Sequence, residues 1–185
     1  GSDRIVFRPS TFVEENSVEM EIPFIQTAFP GARIVPLAFG SMKYADAESV
    51  AGALAGALKA RDDYIVVAST DLSHYRTYED ANAIDRHFIT VLQKMDAREL
   101  YDEARLGVCE LCGIMPVAAT LLAAKKLGFD KVTVLKYANS GDTYGRKENV
   151  VGYVSAIVYK PGLFSEKSGY PGPQDRDKAP VEEGK

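Results

Sequence analysis

The run Ser69-Thr70-Asp71-Leu72-Ser73-His74-Tyr75 sets hydroxyls, a carboxylate and an imidazole at the end of the apolar segment Tyr64 to Ala68. That segment reads as a strand buried on both faces, and it stops with no Gly or Pro to make a simple turn. In open α/β sheets, ligands bind in the crevice beyond the carboxyl ends of the strands. An Asp three residues before a His can orient the imidazole there and set its tautomer. His74 would then act as an acid–base group or oxyanion stabiliser, with Asp71 orienting it. The plainer alternative is that Asp71 or Ser73 caps the helix that follows.

A second candidate is Cys112-Gly113, which precedes Ile114-Met115-Pro116 and so places a thiol just before a helix. The positive end of a helix dipole and its free N–H groups favour a thiolate, suited to a metal or to nucleophilic attack. The alternative is a small apolar filler beside a tight glycine turn. Cys109 and Cys112 are spaced as a redox pair or half a zinc set, but no second such pair and no His pair completes the set. Cys109, in a less defined setting, reads as structural or incidental. Asn139-Ser140-Gly141-Asp142 follows the strand-like Val132 to Tyr137 and would bring Asp142 to the same crevice, although Ser-Gly-Asp is also ordinary turn composition. Glu15-Asn16-Ser17-Val18-Glu19 could present a carboxylate to that pocket, but its chemistry favours a helix cap with negative charge in the first turn.

The elements that must carry these groups follow from periodicity. Val18, Ile22, Ile25 and Phe29 recur at helical spacing, with Pro23 expected to kink or break the helix. Arg33 to Phe39 reads as a strand and Asp46 to Lys59 as a helix. A long helix is expected over Tyr78 to Met95, where Ile84, Phe88, Val91, Leu92 and Met95 form a stripe with His87 packing at its edge. Asp96 to Leu106 reads as a short helix, and Ile114 to Leu127 as another closed by Gly128. Lys131 to Tyr137 and Val150 to Tyr159 read as strands. Helices alternating with strands predict an α/β fold, a mostly parallel or mixed central sheet with helices on both faces.

Length and composition set the outer bounds. A chain of 185 residues makes one domain able to bury roughly 70% of its unfolded surface. A net charge of −4 with scattered Lys and Arg offers no footprint for nucleic acid. No apolar run approaches the roughly 18 to 20 residues of a membrane span, and the N-terminus lacks a signal-peptide pattern. Two thiols in such a chain suggest a reducing, cytoplasmic setting. Gly1-Ser2 reads as the trace of a removed tag, and residues 161–185 as a polar, Pro/Gly-rich tail after a domain over 1–160.

Taken in order, five blocks resemble the Memo family: Glu15-x-Ser17-x-Glu19 with Pro23-Phe24, Ser69 to Tyr75, Cys112-Gly113, Asn139 to Asp142, and Val150-Val151-Gly152-Tyr153. The resemblance implies a fold similar to class III extradiol dioxygenases and a metal-centred pocket holding iron or copper. It implies that Cys112 is a metal ligand, that Asp71 and His74 line the same pocket, and that two histidine ligands come from N-terminal segments which this chain does not contain. The remaining ligands are thus expected outside the chain, the domain being the C-terminal two-thirds of the family's. Asn16 stands where the family has His in a Glu-His-Ser block, and an amide cannot transfer protons near neutral pH.

The leading expectation is a metal-associated pocket formed by Asp71, His74, Cys112 and Asp142, with oxygen-dependent redox or dioxygenase-type chemistry on a small molecule. A thiolate with an imidazole suits iron(II) or copper. Alone the chain offers too few ligands for a tight site, unless a homo-oligomer or an N-terminal segment from another chain supplies the rest. The second expectation is a non-catalytic binding module for a peptide, as eukaryotic members of the family are associated with phosphopeptide and signalling partners. The third is a cysteine hydrolase with Cys112 as nucleophile and His74 as base, weakened by the want of an oxyanion loop.

Overall fold

A computed structural model of the chain describes residues 5–13, 15–40 and 43–160. The proposed tail, residues 161–185, and Gly1-Ser2 lie outside the described residues. A short 3₁₀ turn (Pro9–Phe12) leads into α1 (Asn16–Ala28), followed by α2 (Tyr44–Leu58), β1 (His74–Arg76), α3 (Tyr78–Gln93) and α4 (Ala97–Leu106). The chain continues through α5 (Ile114–Lys126), β2 (Lys131–Asn139), α6 (Ser140–Tyr144) and β3 (Val150–Tyr159). The α/β class holds.

Local chemistry explains most boundaries. Glu15 is the N-cap of α1, its Oε1 accepting from the Ser17 amide at 2.8 Å and the Ser17 hydroxyl at 2.6 Å. The helix runs on through Pro23 rather than stopping there. Asp96 caps α4 through the Arg98 and Glu99 amides, and Gly107 ends it with φ +72°, a left-handed turn that glycine adopts freely. On α3, Ala81, Asp85, Phe88, Val91 and Leu92 are buried, the spacing of one helical face. That face meets β2 and β3, while α2 and α4 pack on α5. Phe88, Val91, Leu100, Ile114, Met115 and Leu121 form the centre of the core, closed on the sheet side by Val132, Val154 and Val158.

The sheet has the order β1-β3-β2, and both pairings are antiparallel rather than mostly parallel. The reason lies in the connection. Only residues 140–149 separate β2 from β3, too few for the crossover that a parallel pair requires. The register sets Asn139 opposite Gly152.

Two expected strands are absent from this sheet. Tyr64 to Ala68 belongs to no ladder among the described residues, and its burial is one-sided: Ile65 and Val67 are exposed while Tyr64, Val66 and Ala68 are half-buried. The alternation is that of a strand, but no neighbour pairs with it. Arg33 to Phe39 likewise forms no strand, and Val35 is 81% exposed. Apolar pattern gives a segment its preference, whereas a strand exists only where a partner completes its hydrogen bonds.

Phe88→Ala should destabilise the protein by about 3–5 kcal/mol, because Phe88 is wholly enclosed. Phe24→Ala, on the open face of α1, should change stability by less than about 0.5 kcal/mol. Urea unfolding followed by circular dichroism measures both, and equal losses would contradict this placement of the core.

Candidate functional site

The segment after Ala68 is seated on the leading end of α5 by reciprocal hydrogen bonds. The Asp71 amide donates to Cys112 Sγ at 3.2 Å, and the Cys112 amide donates to the Asp71 carbonyl at 3.2 Å. The Gly113 amide donates to Thr70 Oγ1 at 2.8 Å, and that hydroxyl donates to the Asp71 carbonyl at 2.8 Å. Gly113 is required by this approach: a Cβ there would lie 2.6 Å from Thr70 Cβ and 2.7 Å from the Ser69 carbonyl oxygen.

Three side chains converge as a result. His74 Nε2 lies 3.4 Å from Asp71 Oδ2, and the ligand atoms of Asp71, His74 and Cys112 all lie within 4.8 Å of one another. Cys112 is exposed, and His74 and Asp71 are half-buried, so the cluster is open to solvent on one side. His74 pairs with Val151 in β1, and Tyr75 beside it takes φ +57° where the β1–β3 register shifts. A bulge of this kind turns side chains away from the regular pleat. An adjoining cavity of about 430 Å³ is lined by Leu72, His74, Arg76, Glu110 and both cysteines. The Arg76 guanidinium grips the Glu110 carboxylate at its rim.

The loop is held from beneath by a buried carboxylate that no sequence motif marks. Asp85 is fully enclosed, its Oδ1 accepting from the Ser73 amide and its Oδ2 from the Ser73 hydroxyl, both at 3.1 Å, and from Tyr137 Oη at 2.8 Å. Burial raises its carboxyl above the ordinary 3.8, against the lowering effect of these three donors. Burial and Asp85 in turn push the Tyr137 hydroxyl up. Gly152 leaves room for the carboxylate, since a Cβ there would sit 1.8 Å from Asp85 Oδ2. The available signal was a charged residue four positions after Ala81 and three before Phe88, on the apolar face of α3.

Asp142 is not part of the cluster. It closes a capping box at the start of α6, where its Oδ2 accepts from the Asn139 amide at 2.8 Å and its Oδ1 from Tyr78 Oη at 2.7 Å. These bonds hold its carboxyl below the usual range. Cys109 and Cys112 are both free thiols and have different partners. Burial, with Glu103 beside it, pushes the Cys109 thiol up to about 12. For the hydrolase reading, His74 is paired with Asp71 and forms no hydrogen bond to Cys112 Sγ among the described residues, and the Cys112 and Gly113 amides are engaged by Asp71 and Thr70.

An α/β fold that gathers carboxylate, imidazole and thiol at a helix end defines a protein with a candidate metal pocket. Residues 5–157 match the family model described as Memo-like protein. A MEMO1 family protein of Pyrobaculum arsenaticum is 37% identical over 150 residues, 80% of this chain and 53% of that relative. One from Methanosarcina mazei is 38% identical over 146 residues, 78% of this chain and 55% of the relative. Another, from Saccharolobus solfataricus, is 35% identical over 158 residues, covering 84% and 55%. The chain belongs to the Memo family. It spans about half the length of these curated relatives.

Because the folded state holds the Asp85 proton more tightly than the unfolded chain, the contribution of Asp85 to stability should be present below 3.8 and be lost as pH rises through its raised value. Asp85→Asn should flatten this dependence in urea unfolding measured across pH. Asp85→Ala, which leaves three donors without their acceptor, should cost about 2–4 kcal/mol at neutral pH. A pH dependence unchanged by Asp85→Asn would contradict the assignment.

Proposed function

We propose that Cys112 anchors an iron or copper ion in this pocket and that the Asp71–His74 pair serves a small molecule bound beside it. The observation that carries the reading is the convergence of the three ligand-type atoms within 4.8 Å. The donor set fits: thiolate, imidazole and carboxylate suit borderline ions rather than Mg²⁺ or Ca²⁺. Iron or copper, when bound, supplies redox and Lewis-acid chemistry at the cavity wall. The protein's own residues do the rest. Thr70 and the Asp71 amide hold the sulfur in place. Asp71 Oδ2 faces His74 Nε2, so that ring nitrogen can hold or pass a proton. Leu72 and Ile114 give the cavity an apolar wall, while Arg76 and Glu110 make its rim polar. The free thiols accord with a reducing, cytoplasmic setting. No helix among the described residues is long and apolar enough to cross a membrane.

Anaerobic calorimetric titration of the chain with iron(II) should give weak binding, with a Kd of about 1 μM or above, corresponding to no more than ~8 kcal/mol. Cys112→Ser should weaken it by at least about tenfold, or ~1.4 kcal/mol. His74→Ala should lower iron-dependent oxygen uptake. Nanomolar affinity for this chain alone, or binding indifferent to Cys112→Ser, would overturn the proposal. Partner binding that tolerates both substitutions would instead support a non-catalytic module.

A further inference from the structure

A second group of ligand-type side chains shares no residue with the Asp71–His74–Cys112 cluster. His87 on α3, Glu103 on α4 and Cys109 just beyond α4 bring one nitrogen, one oxygen and one sulfur within 4.8 Å of one another. His87 Nε2 lies 2.8 Å from Glu103 Oε2, and Cys109 Sγ donates to that same oxygen at 3.2 Å. The backbone builds the approach. After Gly107 turns the chain out of α4, the Val108 and Cys109 amides both donate to the Glu103 carbonyl, at 2.9 and 3.4 Å. The sulfur is thereby returned to the residue six positions earlier, while the packing of α3 on α4 presents His87.

We propose that His87, Glu103 and Cys109 form a second cation site, suited to Zn²⁺. Zinc takes nitrogen, oxygen and sulfur ligands at about 2.0, 2.0–2.2 and 2.3 Å, which in a tetrahedron places the donors roughly 3.3–3.7 Å apart. The 2.8 and 3.2 Å contacts both end on Glu103 Oε2 and the His87 and Cys109 donors lie within 4.8 Å of each other, so the ion enters as Glu103 backs away and the nitrogen and sulfur close on it. Exposure is graded as such a site requires. Cys109 is buried, the Glu103 side chain is 23% exposed and that of His87 43%, so the cation enters from the His87 side and a water completes the fourth position. On binding, the Cys109 S–H bond breaks as the zinc–sulfur bond forms, and the proton leaves to solvent. The contact between His87 and Glu103 gives way to two metal bonds, the Nε2 lone pair being freed as the neutral ring carries its proton on Nδ1. Lys94, the lysine near Glu103, has its Nζ hydrogen-bonded to Glu99 at 2.6 Å rather than to Glu103. Neither Cys-x-x-Cys spacing nor a His pair encodes this arrangement, because Cys112 faces Thr70 and Asp71 instead.

This site is independent of the iron or copper reading, and the test separates them. Cobalt(II) is titrated into the full chain carrying Cys112→Ser, so that Cys109 is the remaining thiol. A thiolate-to-cobalt charge-transfer band with tetrahedral d–d absorption is expected, removed by added Zn²⁺. Cys109→Ser in the same background should abolish it. Since Cys109 is buried and its loss could disturb folding, His87→Ala provides the second arm. This substitution on a half-exposed side chain should leave the far-ultraviolet spectrum and melting curve intact and weaken Zn²⁺ binding at least tenfold, about 1.4 kcal/mol. Absence of the cobalt–thiolate band in the Cys112→Ser protein, or unchanged Zn²⁺ affinity in His87→Ala, would show that the triad is only a hydrogen-bonded brace between α3 and α4.

Discussion

The seating of Thr70 and Asp71 against Cys112 and Gly113 is the contact on which the candidate pocket depends. Each hydrogen bond in it contributes only about 0.5–1.5 kcal/mol net. Their joint effect is geometric, because they tie a loop near the sheet to the first turn of the most enclosed helix. A side chain at 113 would push Thr70 away, so glycine at that position is a condition of the contact rather than a convenience. The same bonds engage the Cys112 and Gly113 amides just ahead of α5 and set the thiol beside Asp71 and His74.

Beneath that contact the interior makes an unusual concession. A carboxyl group buried without partners is costly, and Asp85 is tolerated because three donors surround it. Two of those donors belong to Ser73, next to His74, and the third to Tyr137 on β2. The carboxylate therefore links α3, the loop and the sheet at one point, and a second glycine, Gly152, makes space for it. In both places a backbone without Cβ allows a polar group to approach where packing alone would exclude it.

Much of this was legible along the chain. Helical spacing of apolar residues located α2 to α5 within a few residues, and the limits of β3 coincide with the run Val150 to Tyr159. Glu15 as a cap and the clustering of Asp71 with His74 were open to local reasoning, since each involves residues two or three apart. The strands at 33–39 and 64–68 were not, because pairing depends on a neighbour and the described residues supply none. Asp142 misled for a related reason. Its position at a strand end resembled that of Asp71, yet its carboxylate turns back onto Asn139 and out to Tyr78.

What the residues determined by themselves is the set of functional groups, the helical segments that carry them, and a likeness to the Memo family that the family match bears out. Those depend on local periodicity and on motifs within a few residues of one another. Which groups meet was decided by tertiary packing: Cys112 with Asp71 across 41 positions, His87 with Glu103 across 16, and Tyr137 with Asp85 across 52. Sequence separation carries no direction in space. Only the packing of α3 against α4 and the sheet, and of the loop on α5, assigns each side chain the neighbour that gives it a chemical role.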